Sequence, residues 1–363
     1  MSPKEKAPKE SRLFAILRKD ISEVNFKRTL RQEFSELKQV MLSEERRERL
    51  AGMNRFKRGI FFGWWLFRSM VRKLTPARRL MFVLGIALLI FHVRTGNEEY
   101  NFTTFGIVLI VFTLLLELKD KLIAHEELNA GRVVQQSLMP ELSPQVEGWQ
   151  LWLCSRSANE VGGDLIDFLK ISSQRYGVAI GDVAGKGLRA ALLSAKLQAT
   201  LKALAPDFTS LAALGSKLNE IYCRDGIRTL FASLEYLEFQ PDSGVVRILN
   251  AGHLPPLLVK NGKVDRLRKG GPALGLLCAS TYTEEQSELQ TNDILLVYSD
   301  GLTEAQNSRG EFFGEDRLVA LLPRIASYPA DLLGTTIVAE VDRFIGDAKV
   351  MDDLSIVLLK RTT

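Results

Sequence analysis

Four aspartates stand where an apolar run gives way to a tight turn. Asp164 closes Glu160-Val161-Gly162-Gly163-Asp164, and Asp182 sits in Ile180-Gly181-Asp182-Val183-Ala184-Gly185-Lys186-Gly187. Asp300 follows Tyr298-Ser299 and precedes Gly301, and Asp352 with Asp353 lies between Met351 and Leu354. A carboxylate at a strand end is costly to leave half-buried and unpaired. A glycine beside it lets the backbone approach closely or take a positive φ. Several such turns brought together would concentrate negative charge and call for cations. With oxygen donors and neither Cys nor His among them, the set suits hard ions, Mg2+ or Mn2+. A pair of such ions can activate water and clamp phosphoryl oxygens. Taken singly, each aspartate is an ordinary turn former or helix cap. Spacing alone does not bring them together in space.

The rest of the reactive inventory is sparse. Of three histidines, His92 and His125 lie in or near apolar sequence, which leaves His253 alone in the C-terminal body and excludes a histidine-cluster mechanism. His253 ends the turn Asn250-Ala251-Gly252-His253, ahead of Pro255-Pro256. His253 and Asn250 are possible substrate contacts, although a turn residue satisfied by backbone bonds is the commoner case. Lys186 could meet a phosphate or stay solvated. Cys154, Cys223 and Cys278 have neither disulfide-framework nor zinc spacing and read as buried thiols in a reducing compartment.

After Pro144, short apolar runs alternate with Gly, Asn and Asp turns. Strands are expected at 149–154, 176–180, 232–239, 245–249, 256–259, 294–298 and 355–359. Helices are expected at 187–204, 211–222, 315–325 and 331–345. Runs of strands with segregated helices predict an α+β sandwich rather than a wound parallel sheet.

The N-terminal third differs in charge. Residues 1–79 hold 21 Lys and Arg against 9 Asp and Glu, in a chain of 363 residues whose net charge is only +5. A basic head on an acidic body suits an anionic surface. Residues 1–54 read as a cytoplasmic segment, helical or disordered. Residues 55–79, with GIFFGWWLF between cations, read as an interfacial segment meeting membrane lipid. Residues 80–116 hold two apolar runs, Leu80–Val93 and Phe102–Leu116, separated by a polar loop. They read as a two-span membrane hairpin, short for a crossing that needs roughly 17–25 residues. The basic flank places both chain ends in the cytoplasm, at the inner membrane. Residues 117–140 read as a connector helix, either a dimerising element or a spacer packed on the body. Residues 141–363 are that body. Nucleic acid is not expected as a partner.

From about Asn129 onward the chain resembles the SpoIIE/RsbU-like branch of the PPM family of metal-dependent serine/threonine phosphatases. EVGGDLIDF, IGDVAGKGLRAALLSA, NAGHLPPLL, YSDGLTEAQNSRGEFFG and MDDLSIVLL stand in that family's order, preceded by VVQQSLMPELSP. Ser157 replaces a frequent Pro, and Leu165-Ile166 replaces a usual aromatic pair; neither change removes a ligand. No sensor domain of recognisable pattern precedes the connector. The resemblance implies a ββ-sandwich flanked by helices, with two Mn2+ or Mg2+ ions at one end. It implies that Asp182 bridges them beside the Val183 carbonyl. Asp164 would bind one ion, and Asp300 with Asp352, or its neighbour Asp353, the other. The implied substrate is phosphoserine or phosphothreonine on a regulatory protein of the anti-sigma-factor-antagonist type. A phosphatase of small phosphoesters and a non-catalytic membrane scaffold are the alternatives. The connector runs directly toward the Asp164 and Asp182 turns, so control of those turns by the membrane segment is a natural expectation.

Overall fold

The computed structural model describes residues 49–50, 52–90, 92–95, 98–225 and 230–363. Most of the basic segment read over 1–54 lies outside these residues. The chain forms two compact units that divide between Leu122 and Ile123.

The first unit contains α1 (Arg55–Lys73), α2 (Pro76–Ile90), a hairpin of β1 (His92–Thr95) and β2 (Glu98–Asn101), and the start of α3 (Thr103–Leu138). α2 and α3 touch through glycine: a Cβ on Gly106 would lie 2.7 Å from the Gly85 carbonyl oxygen, so only a bare α-carbon fits. Arg78 then pairs with Glu117 at 3.1 Å and Asp120 at 2.6 Å. The two-span hairpin is not supported. Among the described residues no helix is long and apolar enough to cross a membrane. α2 has 15 residues, about 22 Å at 1.5 Å per residue, against a hydrocarbon core of about 30 Å. The second apolar run and the connector form one 36-residue helix, which turns charged from Glu117.

The second unit is a four-layer α-β-β-α sandwich, the α+β architecture expected. One sheet has the order β10-β9-β12-β13-β4-β3 and the other β11-β8-β7-β6-β5, where β3 is Gln145–Val146, β4 Trp149–Arg156, β5 Leu165–Ser172, β6 Arg175–Val183, β7 Ala232–Phe239, β8 Val245–Ala251, β9 Leu257–Lys260, β10 Lys263–Arg266, β11 Glu284–Glu288, β12 Ile294–Tyr298 and β13 Leu354–Arg361. Every pairing between these strands is antiparallel. Strand β12, Ile-Leu-Leu-Val-Tyr, is apolar throughout because both its faces are covered. In β12, Leu295 and Val297 face the other sheet, while Ile294 and Leu296 face helices α7 (Glu315–Ile325) and α8 (Ala330–Ile345). The outer face of the five-stranded sheet is covered by α4 (Leu188–Leu204) and α5 (Leu211–Asp225), through Leu197, Leu201, Leu214 and Leu218. A short helix, α6 (Asp300–Thr303), follows β12.

β5 was not foreseen, nor were the edge strands β3, β10 and β11. Cys223 and Cys278 are joined by a disulfide that ties α5 to the 270–278 loop, with Cα atoms 5.6 Å apart. This corrects the reading of three free thiols; only Cys154, half-buried, is free.

Gly334 shows how tightly α8 is seated. A Cβ there would lie 2.1 Å from the Trp152 ring, which is buried against the helix. Alanine in a helix is ordinarily favoured over glycine by about 1 kcal/mol, but overpacking a filled core costs about 1–3 kcal/mol. Gly334→Ala is therefore expected to lower stability, measured by urea unfolding of residues 123–363. A stabilised variant would show that the helix is not held against Trp152.

Candidate active site

Each aspartate is delivered by a strand end, and all the ends lie on one edge of the sandwich. Asp164 precedes β5, and Asp182 is the penultimate residue of β6, where Leu165 pairs with Gly181. Asp300 starts α6 just after β12, and Asp352-Asp353 precede β13, where Tyr298 pairs with Ile356. The two sheets thus supply two aspartate turns each.

Asp353 clasps the sheets together. Its Oδ1 accepts the Ala158 N–H at 2.8 Å, and its Oδ2 accepts the Gly163 N–H at 2.6 Å. The carboxylate expected as an alternative ligand is thereby committed to backbone. Ser299 secures the neighbouring strand ends: its hydroxyl donates to the Asp353 carbonyl at 3.1 Å and accepts the Ser355 N–H at 2.9 Å. Glycines permit the close approach. A Cβ on Gly301 would lie 2.0 Å from the Asp353 carbonyl oxygen. A Cβ on Gly163 would lie 3.2 Å from the Val183 carbonyl oxygen and 3.4 Å from Asp182 Oδ1.

The charges interact as one group. Burial is the main reason that the Asp164 carboxyl is held well above the usual carboxylate range, and Asp182 and Asp353 add to it. Asp164 is 4% exposed, and its Oδ2 has no hydrogen-bond partner. Burial, then the charges of Asp300, Asp352 and Asp353, push Asp182 up to about 6. Asp300 is raised by burial and then by Asp352. Asp352 is half-exposed and bonded to Lys186 Nζ at 3.2 Å. Lys186 also donates to the Met351 carbonyl, so its positive charge is already engaged at this edge.

This donor set fits hard divalent cations. Asp164, Asp182, the Val183 carbonyl, Asp300 and Asp352 offer only oxygen, and an enclosed carboxylate oxygen is left without a partner. Among the described residues no three carboxylate, imidazole or thiol groups are drawn together as a finished metal cluster.

A cleft of about 510 Å3 opens beside Asp182 and Asp300. Asn250 and His253 line it, as expected; Phe231, Ser233, Leu254, Pro255 and Lys269 also do so. Lys186 does not line it. Asn250 is occupied by the turn itself: its amide accepts from His253 N at 3.1 Å and donates to the His253 carbonyl at 3.2 Å. Ser233 and Lys269 were missed, since no local pattern marks a single Ser or Lys as facing a site 50 or more residues away. Gln135 was missed as well. Its amide brackets Gly162, donating to the carbonyl at 2.8 Å and accepting the N–H at 3.1 Å. Gln198 holds the end of the same helix, donating to the Leu138 carbonyl at 2.8 Å. The Ile123–Leu138 part of α3 is thus packed on the aspartate-bearing body, as the spacer alternative had it.

Comparison with known proteins agrees with this geometry. Residues 172–362 match the family described as Stage II sporulation protein E (SpoIIE). The protein IcfG of Synechocystis is 26% identical over 273 residues, covering 68% of this chain and 43% of that protein. The phosphoserine phosphatase RsbU of Bacillus subtilis is 24% identical over 237 residues, covering 65% and 70%. Among solved structures, the RsbU and RsbW domains of Rv1364c from Mycobacterium tuberculosis align with a TM-score of 0.55 at 25% identity, covering 62% of this chain and 63% of that one. The SiaA-PP2C domain of Pseudomonas aeruginosa aligns at 0.59 and 19% identity, covering 67% and 99%.

The raised carboxyls give a signed pH prediction. An acid whose folded pKa exceeds its unfolded value stabilises the fold below the unfolded value and loses that contribution as pH rises through the folded one. For Asp182 the window runs from 3.8 to about 6, and Asp164 and Asp300 act in the same direction. Metal-free protein should therefore lose about 2 kcal/mol of stability through Asp182 between pH 4 and 7, and Asp164 and Asp300 add to that loss. Asp182→Asn should reduce the loss, and Mn2+ at pH 7.5 should reverse it. Calorimetry at several pH values checks this; an Asp182→Asn variant with the wild-type pH dependence would show that Asp182 is not strained.

Proposed function

The chain belongs to the SpoIIE family, and from that premise we propose that it is a metal-dependent protein serine/threonine phosphatase. The observation that carries the reading is the meeting of Asp164, Asp182, Asp300 and Asp352 at one sandwich edge, with burial and mutual repulsion raising the first three. Two Mn2+ or Mg2+ ions, held by Asp182 with Asp164 and the Val183 carbonyl on one side and Asp300 with Asp352 on the other, would activate water and neutralise phosphoryl charge. The remaining work falls to the cleft. Phe231, Leu254 and Pro255 give it an apolar wall for the chain flanking the phosphorylated residue. Lys269, exposed and with no hydrogen bond or ion pair among the described residues, supplies a cation for an acidic group nearby. Water adds to phosphorus as the bond to the serine oxygen breaks, releasing inorganic phosphate and the free hydroxyl.

The substrate we infer is a phosphoserine- or phosphothreonine-bearing regulatory protein of the anti-sigma-factor-antagonist type. Support comes from the Bacillus subtilis relatives RsbU and RsbP, both named phosphoserine phosphatases. The test is Mn2+-dependent phosphate release by the full chain. A phosphoprotein of this type should be turned over with at least tenfold higher kcat/KM than free phosphoserine, and Asp182→Ala or Asp300→Ala should reduce kcat by about 100-fold or more, in line with loss of several kcal/mol of charge stabilisation. Activity that persists in both variants would sink the assignment; preference for free phosphometabolites would restore the small-phosphoester alternative.

We also propose that residues 55–116 associate with the cytoplasmic face of a membrane. Leu80, Val83, Leu84 and Ile90 on α2, and Phe105, Val108 and Phe112 on α3, are all exposed apolar side chains. α1 adds exposed Phe56, Ile60 and Trp64 among its cations. Such faces suit the lipid interface. The full chain should float with anionic vesicles, and a chain beginning at residue 123 should not; equal behaviour of the two would reject the idea.

A further inference from the structure

His253 is the buried histidine of the cleft, at 7% exposure, and its Nδ1 and the Ser233 hydroxyl are hydrogen-bonded at 3.0 Å. Ser233 in turn reaches the backbone of Asp182, 3.1 Å from its nitrogen and 3.4 Å from its carbonyl oxygen. The directions are constrained by the atoms. The Asp182 N–H can only donate, so the Ser233 oxygen accepts there. The single hydroxyl proton can go to His253 Nδ1 at 3.0 Å or to the Asp182 carbonyl oxygen at 3.4 Å, and in either arrangement Ser233 links the imidazole to the Asp182 backbone. Burial, which pushes the imidazole down to about 4, agrees with a neutral ring.

The strands make this contact necessary. Asp182 is paired with Ser233 between β6 and β7, one residue after Gly181. A Cβ on Gly181 would lie 2.5 Å from the Ser233 carbonyl oxygen, so the two strands approach unusually closely beside the aspartate. His253 is itself fixed from behind by Asn250, whose amide makes two bonds to its backbone. The path from the Asn250 turn to the central aspartate is therefore continuous: Asn250, His253, Ser233, Asp182.

We propose that His253 and Ser233 form a neutral hydrogen-bonded strut that fixes the Asp182 backbone and so sets the geometry of the divalent-cation site, without touching substrate. The inference rests on the metal-phosphatase reading for its consequence, but the strut itself is a property of the chain. His253 is by this account a positioning residue and not the proton donor that a histidine lining a phosphatase cleft first suggests. Hydrogen-bonded partners behind a metal ligand typically contribute about 10–100-fold in metal affinity.

Two measurements on the full-length protein test it. The first is amide exchange at Asp182 without metal, and the second is Mn2+ affinity by calorimetry. Ser233→Ala and His253→Ala should each speed exchange at Asp182 and weaken Mn2+ binding by about tenfold. Ser233→Thr keeps the hydroxyl, and His253→Asn offers an amide oxygen close to where Nδ1 stands; both should stay within about threefold of wild type. Ser233→Ala is small enough to keep the test valid should His253→Ala fail to fold. Unchanged exchange and unchanged affinity in Ser233→Ala overturn the proposal. Normal affinity with lost turnover in His253→Asn would instead make His253 a substrate or proton-transfer residue, and also overturns it. Absence of Mn2+ binding by the wild type defeats the metal-phosphatase reading alone, because the exchange measurement still decides whether the strut exists.

Discussion

A single carboxylate, Asp353, joins the two sheets where the acidic residues gather. Its two oxygens take backbone N–H groups from Ala158 and Gly163, on the loop that leads into β5, while the residue itself leads into β13. Charge-assisted bonds of this kind are shorter and stronger than neutral ones. Here they do more than stabilise a loop. They set how far the Asp164 turn stands from the Asp300 and Asp352 turns, which come from the opposite sheet. A clasp of similar length but neutral would hold the loop more weakly against the repulsion that accumulates behind it.

The same loop is gripped from a second side. Gln135 binds both backbone groups of Gly162, one residue before the Gly163 N–H that Asp353 holds. Displacement of the helix end would therefore pull directly on the peptide that carries Asp164. Gln198 reinforces the arrangement from α4, whose Ala190 would touch a Cβ on Gly163 at 3.2 Å. Helix, loop and sheet are thus linked by bonds to consecutive backbone groups, Gly162 and Gly163, immediately before Asp164.

The parts of this site that were legible in the sequence share one property: their signal is local. An aspartate after an apolar run, next to glycine, can be recognised within five residues, and the turns of Asp164, Asp182, Asp300 and Asp352 lie at one end of the two sheets, an arrangement that the spacing alone did not supply. The central strands were legible because both their faces are buried, which makes Ile294–Tyr298 apolar without interruption. What was not legible depends on distant partners. Ser233 has meaning only through Asp182 and His253, and Lys269 only through the cleft wall it occupies. The Cys223–Cys278 pair spans 55 residues, and no spacing rule predicts it. The membrane hairpin failed for a different reason. Two short apolar runs satisfied composition, but one became a 15-residue helix and the other merged into a longer, charged one. The edge strand β10 is largely exposed and carries no periodic apolar signal to find.

The acidic edge is the one place where local preferences and the fold pull in opposite directions. Carboxylates avoid burial and avoid each other, yet Asp164 is enclosed and Asp182 stands among three further acids. The opposing free energy has to come from elsewhere in the fold, which has one apolar layer between the sheets and one outside each of them. Glycines at 163 and 301 then let the turns close to distances that any side chain would block. A sandwich built only for stability would replace these aspartates with polar uncharged residues and relax the glycines. That it keeps both, while spending Asp353, Ser299 and Gln135 to hold them in place, is the pattern of a scaffold organised around a charge it has not itself neutralised. The divalent cations proposed for this edge would supply that charge, and the turns already hold the acids near one another.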